Sequence, residues 1–88
     1  MIIVNADDRI PPSSFEYYVT SATGQELRAP LQAGHFRIVQ VAAIGPAPYT
    51  VFFDASDSYK AEGIQSPDAC VIYCPALSKN GLVATESR

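Results

Sequence analysis

The chain has 88 residues, enough for one domain; two would each fall below the size that sustains a core. Apolar residues make up 48% and charged residues 17%, the formal net charge is −3, and the six basic residues (Arg9, Arg28, Arg37, Lys60, Lys79, Arg88) are scattered. That excludes the clustered Lys/Arg of a nucleic-acid binder or a polybasic membrane segment, and no apolar run reaches the roughly 20 residues that span a bilayer.

Seven prolines and five glycines cut the chain into short segments, the rhythm of an antiparallel β domain. "IIV" at 2–4 reads as a first strand, and "DDRIPPSS" as a loop, because Pro11-Pro12 cannot donate ladder hydrogen bonds. "FEYYVTSA" alternates, with Phe15, Tyr17 and Val19 on one face and Glu16, Tyr18 and Thr20 on the other. Thr23-Gly24 is a tight turn, "QELRA" the return strand stopped by Pro30, and "PLQAGHF" a second turn with Gly34 as its permissive residue. The longest predicted strand is "HFRIVQVAAI", 35–44. Its parity breaks near Ile38-Val39, which implies either burial on both faces or a bulge.

"GPAP" at 45–48 is a stiff connection, and "YTVFFD" the next strand. "ASDSYKAEG" is expected to form one helical turn, capped by Ser56 or Asp57 and ended by Gly63. "SPDA" is a type I turn with Pro67 second, "CVIYC" a strand, and "LSKNGLVAT" a hairpin over Asn80-Gly81. The sum is a small antiparallel β-sandwich or partly open barrel of about seven short strands. It is a single domain over 1–88, with an extended N-terminal arm at 1–13 and a tail at 85–88.

If 70–74 is a strand, Cys70 and Cys74 lie about 13 Å apart on one face, beyond the ~7 Å Cα separation a disulfide needs. Two Cys and one His are too few for a zinc site. Cys70, Ile72 and Cys74 are therefore expected to form one apolar face as small hydrophobes. Reduced thiols, with no basic region ahead of a long apolar stretch in "MIIVNADDR", fit a chain made in the cytoplasm without a signal peptide.

Nothing assembles a catalytic constellation. His35 is the only histidine and sits at a turn, and the nucleophile elbow G-x-S-x-G does not occur. No cofactor or metal is expected. The nearest approach to a metal site is Asp54, Asp57 and Glu62 around one loop, which lack the EF-hand pattern; Asp7 and Asp8 beside Arg9 are a weaker version. The five glycines stand singly, so no phosphate loop exists.

Adjacent aromatics such as Tyr17-Tyr18 and Phe52-Phe53 place one ring on each face of a strand, which leaves one of each pair for a contact surface. With the N-terminal "MIIV", they make Ile2, Ile3, Val4, Tyr17, Tyr18, Tyr49 and Phe52 the protein-interface candidates. The expected function is a non-enzymatic structural or interaction protein, a small subunit of a larger assembly such as a bacteriophage capsid decoration (cement) protein in the virion. Its expected partners are copies of itself or a larger structural protein. The alternatives are a small-ligand or carbohydrate-binding module using the tyrosines and the Asp54–Glu62 loop, a small hydrolase, or a phage-encoded inhibitor of a host enzyme.

Overall fold

The computed structural model describes residues 1–55 and 58–75, and the backbone of 82–85. The described residues form eight strands: β1 (Ile2–Asn5), β2 (Phe15–Thr20), β3 (Glu26–Leu31), β4 (Phe36–Ile38), β5 (Tyr49–Asp54), β6 (Tyr59–Ile64), β7 (Cys70–Tyr73) and β8 (Leu82–Thr85). They form two four-stranded sheets, ordered β3-β2-β5-β6 and β4-β1-β7-β8, stacked as an open sandwich and not closed into a barrel.

The first sheet is antiparallel throughout, with β2 central between β3 and β5. Phe15, Tyr17 and Val19 point inward and are buried, as their alternation requires. The predicted turn holds: Gly24 takes φ +86° and donates its N–H to Ser21 O at 3.0 Å. Pro30 does not stop β3, which runs on to Leu31. The reason is parity. Ser21 N–H donates to Gln25 O, which turns the odd residues of β3 toward β2, so the proline lacks its donor on the solvent side of an edge strand.

The second sheet departs from the antiparallel expectation, because β1 pairs parallel with β7 (Ile3 beside Val71, Asn5 beside Tyr73) while pairing antiparallel with β4. The expected arm at 1–13 is thereby corrected: Ile2–Asn5 is a central strand and Ile3 is fully buried. An isolated apolar strand gains ladder bonds along both edges and a core on one face by entering the sheet. The predicted 35–44 strand is also corrected. Only Phe36–Ile38 is strand; Val41–Ile44 is a 3₁₀ turn that carries the chain across to β5, with Val41 buried. The parity break at Ile38-Val39 marks where the chain leaves one sheet for the core between them.

The helical turn expected in 55–63 is replaced by β6. Gly63, at φ +70°, sits where the β5–β6 register shifts, and supplies the left-handed residue of a bulge. Ser56 and Asp57 lie outside the described residues, as do the Asn80-Gly81 turn and the tail beyond Thr85. An aromatic cluster ties the sheets together: Tyr73 of β7 lies 5.0 Å from Phe15 and 5.8 Å from Phe53, both of the opposite sheet. The strand expected at 70–74 ends at Tyr73, and its faces are exchanged. Val71 and Tyr73 enter the core, Cys70 and Ile72 lie half-buried on the outside, and Cys74 is buried just beyond the strand.

Candidate interaction surface

Register decides which side chains meet on the outside of each sheet. Across β4, β1 and β7, Ile38, Ile2 and Cys70 lie in one row and Phe36, Val4 and Ile72 in the next. Inward rows alternate with these, so all six project from the outer face. No charged side chain interrupts them. Phe36 is 60%, Ile38 70% and Ile2 40% exposed, while Val4, Cys70 and Ile72 are half-buried.

The outer face of the other sheet is the ordinary solvated kind. Arg28, Tyr18, Phe52 and Lys60 form one row across β3, β2, β5 and β6. Tyr18 and Phe52 meet edge to face at 5.6 Å, the Arg28 guanidinium lies 5.7 Å from the Tyr18 ring centre, and Lys60 pairs with Glu62 at 2.8 Å. Both rings are half-buried, Tyr18 under a cation from its own sheet, so little apolar surface is left for a partner. Glu16, Glu26 and Asp54 are exposed around them.

The expected interface residues therefore divide. Ile2 and Val4 lie on the apolar face. Tyr18 and Phe52 lie on the opposite, charged face. Ile3, Tyr17 and Tyr49 are core residues: burial raises the Tyr17 phenol pKa, opposed by the nearby Arg37 charge, and Tyr49 Oη donates to Gly45 O at 2.8 Å. Phe36, Ile38 and Ile72 escaped the sequence reading. The available signal was that Phe36 and Ile38 share a parity opposite to the buried Val39 and Val41.

No family model, curated protein or solved structure matches the chain. The site must be read from its own chemistry.

Asp54 and Glu62 do not share a loop. Phe53 stands opposite Tyr59 and Val51 opposite Ala61, which puts the two carboxylates at opposite ends of the β5–β6 hairpin, about 13 Å apart along the strands. Asp57 is outside the described residues, and no group of three metal-ligating side chains gathers among those described. His35 is exposed in the turn before β4, where its N–H donates to Gln32 O at 3.1 Å.

The Asp7–Arg9 pair is a structural knot. The Asp7 carboxylate is fully buried and accepts from Arg9 Nε (2.9 Å), Arg9 Nη2 (2.8 Å), Arg9 N (3.0 Å) and Ser13 N (2.8 Å). The Arg9 side chain, then the backbone donors, hold its pKa far below the usual carboxylate range despite burial. Arg9 also donates to Tyr73 Oη at 2.9 Å, and the buried Asn5 amide donates to Ser13 O and Leu31 O. Together they pin the β1–β2 loop to the sandwich end.

Both cysteines are free thiols. No helix among the described residues is long and apolar enough to cross a membrane.

Proposed function

We propose that the protein is a non-enzymatic subunit of a larger protein assembly, docking through the outer face of β4, β1 and β7. One observation carries this reading: the face formed by Ile2, Val4, Phe36, Ile38, Cys70 and Ile72 is apolar and uncharged, whereas the opposite face of the same small sandwich is charged and self-paired. What favours a contact site here is the asymmetry and not the area, because an interface core is depleted of charge relative to the rest of the surface.

Three strands spaced ~4.8 Å apart and ~13 Å long give a patch of roughly 200 Å². A standard interface buries about 800 Å² per partner, so the patch is the centre of an interface and its surroundings contribute the rest. Within this class we carry forward a bacteriophage capsid decoration subunit, on the size and acidity of the chain. The ligand-module alternative loses support because Tyr17 and Tyr49 are core residues and Asp54 and Glu62 stand apart.

The test is sedimentation of lysate from the native source, with the full chain tagged. The wild type is expected in a fast-sedimenting particle, and the Ile38→Lys variant among free small proteins with an unchanged melting temperature. A wild type found only as free chain, or an Ile38→Lys variant that stays in the particle, overturns the reading.

A further inference from the structure

We propose that the free edge of β4 adds a strand from the partner, an extended segment in which apolar residues flank an acidic one. This rests on the assembly reading above and specifies the partner's chemistry. Two backbone bonds fix where β4 points its groups: Asn5 N–H donates to His35 O (3.0 Å) and Val39 N–H to Met1 O (2.8 Å). Odd residues thus face β1, and the N–H and C=O of both Phe36 and Ile38 point away from the sheet. The side chains of the same two residues stand exposed on the apolar face. A strand laid there gains backbone hydrogen bonds and extends both apolar rows in one step.

Both edges of the opposite sheet are blunted. β3 carries Pro30 on its solvent side, and β6 carries the Gly63 bulge and the Lys60–Glu62 pair. β4 is short and carries the inward-facing charge of Arg37, which guards against most strands, but among the described residues it has no proline, bulge or ion pair to close it to a strand that answers that charge.

Arg37 selects the occupant. It stands opposite Ile3, so its side chain leaves on the core side of the edge, and it forms no ion pair among the described residues. A second copy of β4 paired antiparallel about this residue would set Arg37 against Arg37, an unfavourable like-charge pair. A partner residue bearing a carboxylate at that position reverses the sign, with apolar neighbours beside Phe36 and Ile38.

The experiment titrates the isotopically labelled full chain with two end-blocked synthetic peptides, Thr-Val-Glu-Val-Thr and Thr-Val-Lys-Val-Thr. The Glu peptide is expected to bind about fivefold tighter, a cross-strand charge effect, and to slow exchange of the Phe36 and Ile38 amides. Arg37→Glu, at an exposed position and with its melting temperature checked against the wild type, should reverse the preference. Equal affinities, a preference that Arg37→Glu leaves unmoved, or protection at strands other than β4 would each overturn the edge site. Ile72→Lys, on the apolar face two strands from the edge, should keep the peptide effect. Its loss there, or no binding of the Glu peptide at all, overturns the edge site, while the sedimentation of Ile72→Lys, remote from the edge, decides the face reading independently.

Discussion

At the scale of single residues, the end of the sandwich is held by side chains that an alternation reading passes over. Asp7 is the centre of that knot. Its folded pKa lies below the unfolded value of about 3.9, so its stabilisation is fully present above pH ~4 and is lost as pH falls toward the folded value. Asp7→Asn should therefore cost about 2–3 kcal/mol at neutral pH, less than a fully buried pair because Arg9 is half-exposed, and should flatten the acid limb of the stability curve. Urea melts of both proteins from pH 7 to pH 2 measure this, and parallel curves would contradict it. Gly45 is a second such position. It has φ +135°, and a Cβ there would stand 2.7 Å from Ser21 Oγ and 2.9 Å from Thr23 Oγ1. Gly45→Ala combines backbone strain with a clash and should cost about 2–3 kcal/mol, whereas Gly34→Ala, with open space around it, should cost about 1 kcal/mol. Thermal melts rank the two. Pro46 and Pro48 beside Gly45 announced a stiff connection in the sequence. The hydroxyls it packs against come from the β2–β3 turn, a neighbour no local pattern names.

At the scale of elements, local alternation was sufficient where one face is polar and insufficient where both are apolar. β2 was legible because Glu16, Tyr18 and Thr20 alternate with Phe15, Tyr17 and Val19. β7 was legible as a strand and not as a face, since Cys70, Val71, Ile72 and Tyr73 offer no polar residue to mark the outside. The same holds for Ile2, Ile3 and Val4, which were recognisable as strand-forming but not as the parallel neighbour of a segment nearly 70 residues away. The exchanged face of β7 makes a direct prediction. In native protein Cys70, half-exposed, should react with an aromatic disulfide reagent well before Cys74, which should react only on unfolding; equal rates would restore the one-face reading. The central position of β1 makes another. Deleting residues 1–5 removes Ile3 from the core together with the Asn5 bonds to Ser13 and Leu31, so the cooperative melt should vanish. A shortened chain that still melts cooperatively would return these residues to the status of an arm.

For the whole molecule, the governing feature is the unequal pair of outer faces. Composition shows few charges and many apolar residues, but only register shows that the charges of the two outer faces gather on one sheet. Glu16, Glu26, Arg28, Asp54, Lys60 and Glu62 surround Tyr18 and Phe52, and the other sheet is left with Ile2, Val4, Phe36, Ile38, Cys70 and Ile72. This partition gives association through the apolar face a thermodynamic signature different from any contact through the charged one. Burial of uncharged apolar surface is strengthened by sulfate, carries a negative heat-capacity change and weakens on cooling. A charged contact would instead be screened, because the Debye length falls to about 3 Å at 1 M salt. Calorimetric titration of the protein with its particle should thus show affinity rising in sodium sulfate and changing by no more than about threefold between 0.1 and 0.5 M sodium chloride, the residue being the single Arg37 pair. An affinity that collapses with sodium chloride would move the interface to the sheet that carries Tyr18 and Phe52.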